Sequence, residues 1–522
     1  MNRLLLLAGL ALLAGCDSFD SKSAEDADYG GAESADTTSG DDDASYGGDA
    51  GGPGGTGGSG SDGLEPPDDE PPLEDTDVPT DTDEECDDVT DVTLYLSPDD
   101  SNSMSSPVQA REAVLDGWSN LSSVPLRTWE FLNYYSFDYP AADDSEGALL
   151  DVFASMVDEG DGDYTLQIGV SSPALSNEDR RPMNITLVLD ESGSMGGTAM
   201  DMLIATGEVI ASRLKEGDMV SMVTWDTENA TVLDSHMVSG PDDVILLSAI
   251  AGLAAGGGTD LNGGLRAGYR LAGENYDAER INRVVLISDG GANVGVLDID
   301  RISEAAGSSG SDGVYMVGVG VEEAGSYNDE LMDEVTDAGK GASVFIPDEA
   351  EAELIFGERF VEVMDVAARD VQVRLDLPPG FEIVRFSGEE YSGDPAEVEP
   401  QHIAPNDSVV FHQLINTCAP EAVLDDTTIT VTARYQDPVT FEQSEVSRDF
   451  TVAELASADA ALMAKGAAVF TYAESLKLVR DGGAGDAEHL GRALDAVEDA
   501  EALNPGDADL AEIRQVIERL SD

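Results

Sequence analysis

Basic residues are scarce in this chain of 522 residues: Lys and Arg total 26 against 107 Asp and Glu, a formal net charge of −81. A chain so charged has no footprint for phosphate, which excludes nucleic acid as a partner. The same charge favours solubility and draws cations. Histidine is nearly absent: His236, His402, His412 and His489 are the 4 present, and none has the setting of a zinc ligand or a triad base. No Gly-x-Ser-x-Gly elbow surrounds Ser192 or Ser194, which removes the usual serine hydrolase. Cysteine is limited to Cys16, Cys86 and Cys418. In an exported protein Cys86 and Cys418 can oxidise to a bridge, and two separate thiols stand as the equal alternative.

The apolar run in MNRLLLLAGLALLAGC is too short to span a membrane and suits a signal peptide. Its close, Leu13-Ala14-Gly15-Cys16, resembles the bacterial lipobox. The resemblance implies a signal peptide over residues 1–15, cleavage before Cys16 and lipid on that residue, hence an exported protein anchored to a membrane of the cell envelope. Residues 16–91 hold almost no aromatic or branched apolar side chains and carry GGDAGGPGGTGGSGSDG and a Pro-Asp-Glu stretch. Such a segment cannot bury enough apolar surface to offset chain entropy, so a disordered acidic tether of roughly 50 Å is expected. It has no EF-hand loop to hold calcium.

Order is expected from Val92. Residues 92–181 form a flanking segment that contributes to a β-domain. Residues 182–364 alternate strand and helix, with apolar strands at NITLVLD, DMVSMVTWD, RVVLISDG, GVYMVGVGV and GASVFIP and helices at 198–214, 261–273 and 328–338. That pattern predicts a doubly wound, mostly parallel α/β sheet. Residues 365–455 are β-rich and 456–522 helical. Chain ends of an inserted domain lie close together, so the α/β unit is expected as an insertion in a β-sandwich-like domain built from both flanks. Strands 164–172 and 371–377 are expected as neighbours in one sheet. The final helices carry LNPGD as a hairpin turn, similar to one tetratricopeptide unit; packing against the β region is the favoured reading, since one such unit buries no core alone.

Ligands bind a doubly wound sheet at the carboxyl ends of its strands. Three polar clusters fall there: Asp190-Glu191-Ser192-Gly193-Ser194, then Thr259-Asp260 in AAGGGTDLNGGL, then Asp289 in VVLISDGGANVG. Their donors are all oxygen, which suits a hard cation such as Mg2+ better than zinc. Ser192 and Ser194 also suit helix N-caps, Thr259 and Asp260 a helix start, and Asp289-Gly290 a turn. Glu191 is expected to face solvent.

Asp-x-Ser-x-Ser, a later Thr in a glycine-rich loop and a strand-ending Asp-Gly resemble the metal-ion-dependent adhesion site of von Willebrand factor type A domains. The resemblance implies Asp190, Ser192, Ser194, Thr259 and Asp289 as ligands of Mg2+, or of Mn2+ or Ca2+. It also implies a protein partner whose Asp or Glu carboxylate completes the metal shell. The segments RTWEFLNYYSFDYP, ARDVQVRLDLPPGFEIVRFSG and ARYQDP extend the likeness to YfbK-like bacterial lipoproteins over roughly residues 92–480. The function this implies is an exported, lipid-anchored, non-enzymatic adhesion module with no catalytic residues. The alternative is an envelope-assembly or chaperone-like factor with a structural metal. A third reading, a phosphatase with Asp190 as nucleophile, lacks its general acid because the second position is Ser192.

Replacing Cys16 by Ser is expected to release the protein from membranes. A mutant that still sediments with membranes after a high-salt wash contradicts lipidation at Cys16.

Overall fold

The computed structural model describes residues 86–98, 102–117, 121–143, 148–291, 313–322, 327–482 and 486–521. The expected signal peptide, Cys16 and the tether up to residue 85 lie outside them. No helix among the described residues is long and apolar enough to cross a membrane.

The chain enters through β1 (Val92–Ser97), α1 (Ser105–Leu115), α2 (Thr128–Tyr134) and a hairpin of β2 (Asp151–Gly160) and β3 (Asp163–Ser171). The hairpin turns through Gly160, Asp161 and Gly162, all at positive φ. At Gly162 a Cβ would also lie 2.7 Å from the Thr417 carbonyl oxygen, so only glycine fits.

Next come β4 (Met183–Asp190), α3 (Thr198–Arg213), β5 (Met219–Trp225), β6 (Asn229–Met237), α4 (Val244–Ile250), α5 (Leu261–Glu274), β7 (Ile281–Ser288), β8 (Tyr315–Gly320), α6 (Asp329–Ala338) and β9 (Ser343–Phe345). The strands form one sheet in the order β6-β5-β4-β7-β8-β9. Every pair is parallel except β5 with β6. β4 and β7 are buried at every position, as central strands of a covered sheet must be. From β4 the chain first winds to β5 and then returns to β7 on the other side. The switch point of the sheet therefore lies at the carboxyl end of β4. The mostly parallel α/β sheet read from the sequence is the observed one; the antiparallel edge strand β6 is an addition to it.

An irregular helical stretch over 349–364 leads out. It is followed by β10 (Ala368–Leu377), β11 (Phe381–Arg385), β12 (Glu390–Ser392), β13 (Gln401–Ile403), β14 (Ser408–Thr417), β15 (Thr428–Gln436) and β16 (Gln443–Thr451). These strands build two antiparallel sheets with the first three strands of the chain. One runs β12-β1-β10-β15-β16, with β13 also on β10; the other runs β11-β14-β3-β2. Leu166, Ile168, Val170 and Phe411 of one sheet share a core with Val373, Leu375 and Val431 of the other. The α/β layer is thus inserted in a sandwich made from both flanks. The expected pairing of β3 with β10 is corrected: β3 pairs with β14, and β10 with β1 and β15. The two strands lie in opposite sheets and share one core, where each finds an apolar layer against its own buried face.

Cys86 and Cys418 are joined in a disulfide, 332 residues apart in sequence with Cα atoms 5.8 Å apart. Cys418 follows β14 and Cys86 precedes β1, so the bridge ties the two sheets where the chain enters the fold. Closing a long loop in this way typically contributes about 2–4 kcal/mol.

The C-terminal helices are α7 (Ala460–Arg480), α8 (Asp486–Leu503) and α9 (Ala508–Ser521). α7 docks on both flanks. Tyr472 meets Phe131 of α2 edge to face at 5.5 Å, and Phe470 lies 5.4 Å from the His412 ring of β14. Gln167 Nε2 of β3 donates to the Leu462 carbonyl at 3.0 Å. All three helices belong to the same core as α1, α2 and the α/β layer.

Candidate metal centre

The site starts from strand register. In the parallel ladder Asp190 stands opposite Trp225 of β5, and Leu189 opposite Ile287 of β7. The chain therefore leaves three adjacent strands at one level, at Asp190, Asp226 and Asp289. Asp190 is fully buried. Its Oδ1 accepts from the Ser192 N–H at 2.8 Å and its Oδ2 from the Ser288 hydroxyl at 2.7 Å. Ser288 Oγ in turn accepts from the Gly290 N–H at 3.0 Å. Burial pushes the Asp190 carboxyl up to about 7; the hydrogen bonds from Ser288 and Ser192 oppose this, and the charge of Asp289 adds to it. No ion pair among the described residues involves Asp190 or Asp289.

The first loop places Ser192, buried, with its Oγ 3.0 Å from Ser194 Oγ, which is exposed. Neither serine caps a helix: Ser192 precedes a short helical turn without a side-chain cap bond, and α3 begins after Gly197. The capping alternative is excluded for both. Asp260 does cap α5, its Oδ1 accepting from the Gly263 N–H at 3.0 Å. The adjacent Thr259 is 1 % exposed.

The glycine-rich loop is pinned to the first loop and to the turn after β5. Gly256 N–H donates to Glu191 O at 2.7 Å, Gly193 N–H to Gly257 O at 3.3 Å, and Asp260 N–H to Asp226 O at 2.8 Å. Thr227 Oγ1 accepts from Gly258 N–H at 2.7 Å. Glu191 is half-buried rather than solvent-facing, and its Oε1 accepts from the Ala254 N–H at 3.0 Å. That corrects its expected exposure: it is a brace between two loops.

The third loop closes the set. Asp289 Oδ1 accepts from the Gly291 N–H at 2.8 Å. A Cβ built on Gly291 would lie 2.9 Å from Asp289 Oδ1, 3.6 Å from Thr259 Cγ2 and 3.7 Å from Ser194 Oγ. One point thus touches all three loops, and it is kept open because position 291 is glycine. Asp289, Thr259 and Ser194 lie around that point, and Ser192 links Ser194 to Asp190 through its hydroxyl and its N–H. Ser288 was not nominated; its only signal in the sequence is its place beside Asp289 at the end of an apolar strand.

The donor set fits a hard divalent cation. It is oxygen only, it has an uncompensated buried carboxylate, and its centre is a cradle that a side chain would fill. Among the described residues there is no cluster of three or more His, Cys, Asp or Glu able to hold a metal. The set here is two carboxylates with hydroxyls.

Residues 184–358 match the family model of the von Willebrand factor type A domain. The chain is similar to the uncharacterized protein YfbK of Escherichia coli, 25% identical over 217 residues that make up 41% of this chain and 37% of that protein. It is also similar to a Synechocystis protein, sll0103, at 28% identity over 41% of this chain and 49% of the relative. The chain therefore spans less than half the length of these relatives. Among solved structures, a von Willebrand factor type A protein from Catenulispora acidiphila is matched with TM-score 0.47 and 17% identity over 70% of this chain and 96% of that one.

Ser288→Ala removes a buried donor to the Asp190 carboxylate and is expected to lower stability by about 1–3 kcal/mol. Glu191→Ala, at a partly solvated contact, is expected to cost about 1 kcal/mol or less. Urea unfolding midpoints check the order; a Glu191 variant less stable than the Ser288 variant contradicts it.

Proposed function

With residues 184–358 forming a von Willebrand factor type A domain, we propose that the three loops hold Mg2+, or Mn2+ or Ca2+, through Asp190, Ser192, Ser194, Thr259 and Asp289. The protein acts as a non-enzymatic adhesion module. The ion supplies an electrophilic position to which an Asp or Glu carboxylate of a protein partner binds. Domains of this kind serve protein interaction and adhesion. The observation that carries the reading is the buried Asp190 carboxylate, which has no ion pair among the described residues, beside a point that Ser194, Thr259 and Asp289 approach from three loops and to which Ser192 connects it. Burying an unpaired carboxylate is costly, and a bound cation relieves that cost. The exposed Ser194 sets the outer rim, where a partner can approach.

Lipid at Cys16 and the acidic tether place this module at a membrane of the bacterial envelope. The support is the N-terminal sequence, together with likeness to a bacterial relative. The high acidic charge elsewhere leaves the metal as the point where a carboxylate is attracted rather than repelled.

Calorimetric titration with Mg2+ tests the reading. The wild-type chain is expected to show one site that Asp190→Ala weakens on the order of 100-fold, because changes one shell further out already cost 10–100-fold. The same variant should lose capture of an Asp-containing partner from envelope extract, as should the wild type in EDTA. Equal Mg2+ titrations of the two proteins contradict the proposal.

A further inference from the structure

The third loop of the site is held by Asn328, just ahead of α6, and the start of α6 is held in turn by the N-terminal flank. Asn328 grips it twice: its N–H donates to Asp289 O at 3.2 Å, and its Nδ2 to Gly290 O at 3.1 Å. Gly290 also packs so closely on Asn328 that a Cβ there would lie 2.7 Å from the Asn328 carbonyl oxygen. The next residue, Asp329, opens α6, and its carboxylate is taken by the N-terminal flank. Gln109 Nε2 donates to Asp329 Oδ1 at 2.6 Å and Ser105 Oγ to the same oxygen at 2.9 Å. Arg127 Nη2 lies 2.8 Å from Asp329 Oδ2 and 2.8 Å from Asp333 Oδ2, one turn further along α6. The other end of the same guanidinium reaches Glu130 Oε1 at 2.8 Å, and Glu130 Oε2 accepts from the Ser106 N–H at 2.5 Å. Ser105, Ser106, Gln109, Glu130 and Asp329 are all buried.

An apolar seam would hold α1 and α2 against α6 at less cost, because buried charges add little net stability. What such a network adds is a fixed geometry. It is built at the residue covalently joined to the one that grips the third loop. Consecutive Cα atoms are ~3.8 Å apart across a planar peptide, so a displacement of Asp329 reaches Asn328 with little slack.

We infer that Gln109, Ser105 and Arg127 of the N-terminal flank are positioning residues for the metal site, setting Asp289 and Gly290 through Asn328 and Asp329. The inference rests on the proposed reading of Asp289 as a ligand. It adds that the flank is part of the site, so that the α/β layer by itself is an incomplete metal binder.

The test uses the full chain and Mn2+ as the probe. Gln109→Leu is expected to weaken Mn2+ binding about tenfold, the lower end of outer-shell effects, and to speed amide hydrogen exchange at residues 289–291. Ser105→Ala, a smaller deletion, should act in the same direction. The control is Arg111→Met on the same helix. Arg111 pairs with Glu351 at 2.9 Å and Glu512 at 3.1 Å, away from Asn328. It should destabilise the fold yet change Mn2+ affinity less than twofold. Wild-type affinity in both Gln109→Leu and Ser105→Ala, or an equal loss in Arg111→Met, overturns the inference. If the wild type binds no Mn2+, the metal reading fails instead. Exchange at 289–291 in the metal-free proteins then still decides the mechanical link: unchanged rates in Gln109→Leu overturn it, faster rates uphold it.

Discussion

A carboxylate buried at the tip of the central parallel strand constrains most of what surrounds it. Asp190 is removed from water, and its hydrogen bonds from Ser192 and Ser288 do not offset the loss, so its carboxyl stays pushed up to about 7. Strand β4 must lie beside β7 for the Ser288 hydroxyl to reach it. β7 must end in a serine before it delivers Asp289. The glycine-rich loop must come within hydrogen-bond reach of Glu191 and Gly193, as it does. A protein that had no use for a cation would gain by placing an apolar residue at 190, as at the neighbouring buried positions of β4.

The surrounding architecture fixes this site relative to the chain's entry. The sandwich takes strands from before and after the α/β layer, and the Cys86–Cys418 bridge closes it at the point where the chain arrives. The C-terminal helices do not stand apart. They share a core with α1, α2 and the α/β layer, and Lys465 of α7 pairs with Asp507 at 2.6 Å and Asp509 at 2.8 Å ahead of and within α9. Arg111 joins α1 to Glu351 of the stretch that leaves the α/β layer and to Glu512 of α9. The α/β layer is therefore seated in a body of several layers.

The parallel strands were legible because covered strands read as apolar runs, and β4, β5, β7, β8 and β9 each coincide with one. β6 and β16 were not legible: both are edge strands with mostly exposed residues, and neither carries the alternation that marks a half-buried strand. The three polar loops at the strand ends were legible because short spacing and strand ends are local properties of sequence. Ser288 and the brace formed by Glu191 were not, since their roles exist only once β7 and the glycine-rich loop lie beside β4. The pairing of β3 was misread for the same reason. Alternation tells which face of a strand is buried, but the partner of a strand more than two hundred residues away is settled by packing of the whole sandwich.

The central claim is that one divalent ion sits among the three loops rather than diffusely over an acidic surface. Anomalous diffraction from crystals grown with Mn2+ locates the ion directly. The account predicts a single strong peak within coordination distance of oxygen atoms of Asp190, Ser192 and Ser194, absent in Asp190→Ala. Peaks confined to other acidic clusters, with none before Asp190, would contradict it.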